Sequence, residues 1–401
     1  MFEWQDRFDI TRKCFVPWIE SAHPLRDAFV VEFGCGTGSV GLALASHARR
    51  VLGVDIDAGS VGVAEHKRAE RSVRNAAFSA HTFEGCLAAV REASRTDRGE
   101  SGRAGCGVDV FMLYAVLEHM TLDERLRILG FADSVLAPDG VIVICESPNR
   151  LLWGDYHTSQ TPFNLQLPED VSLRYTSRLK RRAYIEAIEA SRALGPEAEH
   201  EAFVRWGRGI SYHEFELAGV FDRIIGSNWD PELLPCRHVE REELMLARHL
   251  SRHAAELPTP MPACFSRCYI DCIIGAPGGR RVRERKPEWR PWSMHTNYSN
   301  SVGYTEWDTL VFQRDDSLLS IRLPVPARRL LLGIEPLAGA NDLALRADHG
   351  ELAAVRIADG ADRVTRHETV VFERPASEIQ VRARSGVGIS FVAYQAMDRS
   401  A

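Results

Sequence analysis

The stretch VVEFGCGTGSVGLALA, residues 30–45, constrains this chain more than any other. An apolar run breaks into alternating glycines, Gly34, Gly36 and Gly38, and resumes at once with a helical apolar pattern. Glycine tolerates backbone conformations closed to other residues and lets backbone approach a ligand, so strand, glycine turn and helix in that order read as a ligand-holding unit. The flanking text extends it. AFVVEF and RVLGVDI read as strands, and SVGVAEHKRAERSVRNA as the helix after the second; the resulting βαβ unit requires a parallel sheet. A third strand is expected near AAFSAHTF, a fourth in VDVFMLYAVL and a fifth in VIVICESPN. Before the fifth, TLDERLRILGFADSVLAPDG reads as an amphipathic helix ended by Pro-Asp-Gly, and SRTDRGESGRAGCG reads as a surface excursion. The core of a doubly wound α/β domain is thus in place by residue 150.

Two glycine signatures overlap in the turn. From Gly36 it reads G-T-G-S-V-G, the pattern of a dinucleotide-binding turn, with Asp55 where a ribose-binding acid belongs. From Glu32 it reads E-F-G-C-G-T-G, which resembles motif I of the class I S-adenosylmethionine-dependent methyltransferases. Charge separates the two. A carboxylate at the strand end repels a pyrophosphate, whereas S-adenosylmethionine brings an ammonium and a sulfonium and no phosphate.

Downstream segments strengthen the resemblance, which covers roughly residues 28–150. LGVDID places Asp55 at the end of the second strand, where the family's acid takes the ribose hydroxyls; Asp57 competes with it and has a helix cap as its other reading. LYAVLEHM is similar to the family's fourth-strand segment, and LAPDGVIVI to its approach to the fifth. The resemblance implies a donor site of Glu32, Gly34, Gly36, Gly38, Asp55 and Leu117. Glu84 in HTFEGC stands where the family often has an Asp near the adenine. Leu117, Glu118 and His119 leave the fourth strand close to the cofactor, and Glu118 is open between holding the loop and touching substrate.

After the fifth strand, ESPNRLLWGDYHTSQTPFNLQLP is dense in polar and aromatic groups without periodicity, the character of a functional loop at the carboxyl end of a parallel sheet. Asn149, Asp155 and Tyr156 are the expected substrate contacts. His157 is the leading general base and His119 the alternative, since imidazole titrates near neutral pH. Residues 169–255 turn helical and read as a cap, within about 158–255, inserted before a sixth strand in FDRIIGSNW and an antiparallel seventh in CFSRCYIDCIIGAP. Cys264, Cys268 and Cys272 lie four apart, a spacing that one face of that strand explains without a metal, and no metal is expected.

The organisation expected is a methyltransferase domain over 1–278 with a mostly parallel seven-stranded sheet, a linker at 279–294 and a β-sandwich-like domain over 295–401. GGRRVRERKPEWRPW reads as solvated linker, and after it DTLVFQ, LLSIRLPV, RLLLGIE, LAAVRIA, ETVVFE, EIQVRAR and VGISFVAY are short strands. A net charge of −6 argues against a nucleic-acid partner. The N-terminus lacks a secretory pattern, no apolar run approaches the roughly 20 residues of a membrane span, and nine scattered cysteines fit a reducing cytoplasm. The chain therefore reads as an enzyme moving a methyl group from S-adenosylmethionine to a small-molecule or peptide acceptor, oxygen before nitrogen. The alternatives are an NAD(P)-dependent oxidoreductase and a non-catalytic binding protein on the cofactor fold; oligomeric state stays open.

Overall fold

The computed structural model describes residues 4–101, 107–230, 233, 241–252 and 261–278, then 289–291, 298–300, 302–304, 310–312, 318–336, 342–356, 366–383 and 387–396. The chain divides into two compact units: Met1–Asn228 with Arg267–Arg281, and Trp229–Ser266 with Val282–Ala401. The sequence-based boundary keeps everything to residue 278 in the first domain; the structure assigns 229–266 to the second unit.

The first unit opens with two short helices, α1 (Trp4–Ile10) and α2 (Val16–Glu20), joined by a π-helical turn at Thr11–Phe15. Trp4 stacks on Phe8 at 5.3 Å, and Phe15 and Trp18 are fully buried. Strand β1 (Phe29–Phe33) leads to α3 (Ser39–Ala45), β2 (Arg50–Asp55), α4 (Ala58–Glu70), β3 (Ala76–Ala80), α5 (Phe83–Ser101), β4 (Val108–Tyr114), α6 (Leu122–Val135) and β5 (Leu136–Pro148). The helices α7 (Glu169–Tyr175), α8 (Arg182–Arg192), α9 (Pro196–Arg205) and α10 (Tyr212–Leu217) follow, then β6 (Ile224–Ser227). After α11 (Arg241–Arg252), the chain returns as β7 (Tyr269–Gly275).

The strand order is β3-β2-β1-β4-β5-β7-β6. Strands β1 to β5 run parallel, and β7 lies antiparallel to both β5 and β6. The chain winds outward from β1 to β3 and returns to β1's other side as β4, which makes the carboxyl ends of β1 and β4 a switch point, where such sheets hold ligands. All five residues of β1 are buried, as expected of a central parallel strand, and Glu32 is the polar one among them.

Local sequence accounts for most boundaries. Thr121 and Glu124 form a capping box at the start of α6, and Asp57 caps α4 by accepting the Gly59 N–H at 2.9 Å. Two expectations change. The stretch read as a surface excursion is helical to Ser101, and Asp97 within it is buried against Arg49 at 2.9 Å. Helix α6 stops at Val135, and Pro-Asp-Gly belongs to β5, where the pairing with β4 shifts register. In the region expected to form a cap, Leu179, Tyr184, Ile188 and Phe203 make a small core of their own.

In the second unit, β8 (Trp289–Pro291), β9 (Tyr298–Asn300), β10 (Val302–Tyr304), β11 (Leu310–Phe312), β12 (Leu318–Pro336), β13 (Asp342–Ala347), β14 (Leu352–Arg356), β15 (Arg366–Arg382) and β16 (Val387–Ala396) form an antiparallel sheet. Most of the expected linker lies outside the described residues, and its Trp289–Pro291 pairs with β16. The long strands β12 and β15 pair along their length through register shifts between Arg322 and Arg329. Both halves supply one sandwich-like core, with Leu319 and Ile321 from one and Leu332 and Ile334 from the other. Ile379, Val381 and Ala383 are buried and alternate with wetter neighbours, as expected. Trp229 and Ala247 of α11 pack with Leu331 and Ala393, which explains why 229–266 belongs here.

Candidate active site

The turn between β1 and α3 is built by backbone geometry. Gly34 has φ of 78° and Gly36 of 48°, in the left-handed region that other residues enter at a cost. A Cβ on Gly34 would lie 2.3 Å from Val116 Cγ2, so this glycine lets the segment after β4 press against the turn. Around Gly36 a Cβ would meet nothing within 4 Å; here the backbone faces open space. Gly38, with φ of 76°, precedes the first residue of α3.

Two carboxyls frame the turn. Asp55, at the end of β2, accepts the Gly36 N–H at 2.7 Å through Oδ2 and the Asp57 N–H at 2.9 Å through Oδ1. Glu32 is buried beneath, and its Oε2 has no hydrogen-bond partner. Burial pushes its pKa up to about 8; Asp55 adds to the rise, while the Gly41 N–H and Arg7 oppose it. That Oε2 would lie 2.6 Å from a Cβ on residue 41, so glycine there makes room for the acid. Leu117 is buried in the 3-10 turn Leu117–His119. Glu84, on α5, is exposed and paired with Arg127 at 2.6 Å. Trp4 escaped the sequence reading, yet its indole N–H donates to the Thr37 carbonyl at 2.9 Å and ties α1 to the turn. The aromatic spacing of Trp4 and Phe8, one helical turn apart, was the available signal.

The carboxyl ends of β4 and β5 carry backbone strain. Ala115 has φ of 48° and Glu146 of 54°, each worth about 1–3 kcal/mol for a residue with a side chain. The Ala115 N–H donates to the Cys145 carbonyl, and the Glu146 N–H to Asp271 Oδ1, both at 2.9 Å.

Beyond these bends, Glu118, His119 and His157 converge. Glu118 is fully buried with neither carboxyl oxygen hydrogen-bonded. Burial raises its pKa, with Glu146 adding and His119 and Arg125 opposing. His119 Nε2 stands 3.8 Å and His157 Nε2 3.9 Å from Glu118 Oε1. The rings are 5.1 Å apart. His119 Nδ1 lies 2.7 Å from the Arg205 carbonyl, which only accepts, so Nδ1 carries a proton and Nε2 faces Glu118. The Thr158 hydroxyl donates to the Gly207 carbonyl at 2.7 Å and lies 3.4 Å from His157 Nδ1, an arrangement that suits a ring proton on Nδ1. Burial, with His119 and the Arg181 and Arg7 charges, pushes the His157 pKa down to about 4, below the near-neutral titration on which it was expected as the base, so it is a weaker proton acceptor than a solvated imidazole. Arg7 acts on both Glu32 and His157, and Val116 abuts Gly34, so this cluster adjoins the glycine turn.

The other expected substrate residues have internal partners. Asn149 Nδ2 donates to the Arg267 carbonyl at 3.0 Å, and its Oδ1 accepts the Leu151 N–H at 3.1 Å. Asp155 accepts the Thr158 and Ser159 N–H groups, each at 2.8 Å, and so shapes the loop bearing His157. Tyr156 is exposed, edge-on to Trp153 at 6.0 Å. Glu118 is the residue the sequence left undecided that the structure centres. Cys264, Cys268 and Cys272 are buried, but the strand expected to carry all three holds only Cys272: Cys264 lies in the 3-10 turn Ala263–Ser266 and Cys268 just before β7. No helix among the described residues is long and apolar enough to cross a membrane.

Residues 31–142 match the family described as methyltransferase domain. Within the first unit, these residues form a methyltransferase domain. The match decides between the two readings of the glycine turn: the cofactor of this methyltransferase domain is S-adenosylmethionine. The open face at Gly36 and the two-pronged Asp55 beside it fit that donor. Over 58 residues the domain is 41% identical to a cypemycin N-terminal methyltransferase from Streptomyces sp; the match covers 14% of this chain and spans 24% of that relative's length. Among solved structures, Haemonchus contortus phosphoethanolamine N-methyltransferase 1, with phosphoethanolamine and S-adenosylhomocysteine, aligns at 21% identity over 36% of this chain and 27% of that one, with a TM-score of 0.28. The [4+2]-cyclase SpnF aligns at 17% identity over 39% and 53%, with a TM-score of 0.29.

Proposed function

We propose that this chain transfers the methyl group of S-adenosylmethionine to a small-molecule or peptide acceptor held against His119 and His157. The observation that carries this reading is the convergence of two imidazoles, their Nδ1 atoms engaged by the fold and their Nε2 atoms turned to one buried carboxyl, beside the glycine turn. In-line displacement at a sulfonium carbon needs the acceptor atom held in line and water kept away, and an imidazole lone pair can orient an acceptor hydroxyl and receive its proton. An oxygen acceptor matches that demand, with His157 as the principal catalytic residue and His119 beside it.

On the donor side, Gly34, Gly36 and Gly38 would lay backbone against the cofactor, and Asp55 would exchange its N–H partners for ribose hydroxyls. Leu117 would supply an apolar wall. Glu32 would act from beneath the turn, through Gly41, toward the ammonium. Glu84 would reach the adenine end only on leaving Arg127. Asn149 and Asp155 would set the acceptor loop, and Tyr156 would meet the acceptor at its mouth. The β unit, proposed as a separate domain over 295–401, would recognise the acceptor or mediate assembly without touching the donor.

The test is calorimetry with S-adenosylhomocysteine and NAD, followed by methyl release from labelled donor in the presence of hydroxyl and amine acceptors. Tight NAD binding without a response to the methyl-donor product would overturn the reading.

A further inference from the structure

We propose that Glu118, His119 and His157 bind a divalent transition-metal cation of the zinc and iron(II) class. One ligand atom from each residue lies within 4.8 Å of the other two. The separations of 3.8 and 3.9 Å between Glu118 Oε1 and the two Nε2 atoms exceed hydrogen-bonding distance, so the three groups face one another across a gap instead of satisfying each other. In a tetrahedral zinc site with bonds of about 2.0–2.1 Å, neighbouring ligand atoms stand about 3.4 Å apart, within a few tenths of an ångström of the two carboxylate–imidazole gaps.

Independent observations point to the same occupant. Glu118 is wholly inside the protein with both oxygens unpartnered, a condition that folded proteins resolve with a counter-charge. Three neighbouring arginines have partners of their own. Arg125 donates to the Leu117 and Glu118 carbonyls and pairs with Glu214 at 3.1 Å, Arg205 pairs with Glu124 at 2.7 Å, and Arg181 donates to the His157 carbonyl. Each imidazole also has its Nδ1 turned to an acceptor, the Arg205 carbonyl or Thr158 Oγ1. Metal-ligating histidines need that outer contact to fix ring and tautomer with Nε2 free.

Two imidazoles and one carboxylate leave further positions open, the arrangement of a reactive rather than a closed structural site. With a cation bound, the two imidazoles would act as its ligands in place of bases: the ion would hold the acceptor oxygen and make it more acidic, and the proton would leave to solvent. That consequence rests on the methyl-transfer reading; the binding itself does not.

The experiment uses the full chain, stripped with chelator and titrated with Co2+ and Zn2+ in the absence of any methyl donor. Expected is one Co2+ per chain, with the visible bands of nitrogen and oxygen ligation and without the near-ultraviolet thiolate band that cysteine ligation would give. Zn2+ should displace it. Glu118→Gln should weaken binding tenfold or more with the fold intact by circular dichroism; if that variant does not fold, His157→Ala, on the partly exposed loop, carries the test with the same expected loss. Overturning results are the absence of saturable binding, a thiolate spectrum, or wild-type affinity in a folded variant. Because the donor is absent throughout, failure here leaves the methyl-transfer reading standing, and failure of S-adenosylhomocysteine to bind a metal-competent protein would remove that reading alone.

Discussion

The glycine turn and the histidine cluster of the first unit each hide a carboxyl, and the two are held in opposite ways. Glu32 sits under backbone, engaged by the Gly41 N–H and boxed in by a glycine that leaves it room. Glu118 has no hydrogen bond on its carboxyl and looks across a gap at two imidazoles. The first belongs to a frame that exists before any ligand arrives. The second is held by burial alone, with two imidazoles opposite it.

The sharpest break in this contrast would come from His157→Ala. Turnover should fall roughly 10²–10⁴-fold, the range for a lost proton-handling group, while donor affinity stays within about twofold. Equal loss of donor affinity would place His157 in the donor frame instead.

Next is the pH dependence of stability that Glu32 confers. The folded protein retains the Glu32 proton to about pH 8, whereas the unfolded chain releases it near the ordinary 4.5. Between those values the folded state binds more protons, so stability is fullest below 4.5, declines as pH rises and levels off above 8. The slope from this one group is at most about 1.4 kcal/mol per pH unit. Glu32→Gln should remove it, as the difference between wild-type and variant denaturation midpoints across that range. Parallel curves would show that Glu32 ionises freely in the fold.

Asp55→Ala should cost about 1–3 kcal/mol of S-adenosylhomocysteine binding, read by calorimetry, because charge-assisted hydrogen bonds to the turn and ribose are lost together. Unchanged affinity would strip Asp55 of its donor role. The smallest effect is expected from Glu84→Ala. An exposed ion pair contributes about 0–1 kcal/mol, so stability should hardly move, and donor affinity should change by less than about threefold. A tenfold loss of affinity would bring Glu84 to the adenine and extend the donor frame to α5.

The same contrast explains what could be read beforehand. The constraints read on the glycine turn lie in one βαβ unit: three glycines, an acid beneath them and an acid at the next strand end; Trp4 and Val116, which also hold the turn, come from outside that unit. The segments from 28 to 150 were legible in type and order for that reason, although polar composition hid the last turns of α5 and Pro-Asp-Gly misplaced the end of α6. At the histidine cluster, both histidines were legible as chemistry, but the groups that engage their Nδ1 atoms are set by the Arg205 and Gly207 carbonyls, far along the chain. Glu118 looked like any polar residue leaving a strand because burial is a property of the assembled fold. Helix α11 shows the same limit. Its apolar stripe announces that it covers something, and the stripe is identical whether the surface covered belongs to one unit or the other.

The path of residues 229–266 has a consequence for how this protein is made and how it can be divided. They leave after β6, complete the second unit, and return as β7 between β5 and β6. A nascent chain therefore exposes α11 well before its partners on β12 and β16 are synthesised, leaving Trp229 and Ala247 in need of shelter during translation. Modularity is affected too. A single cut near residue 281 severs a segment from its own core, so a gene fusion that transplants the methyltransferase domain intact must also splice residue 228 directly to 267.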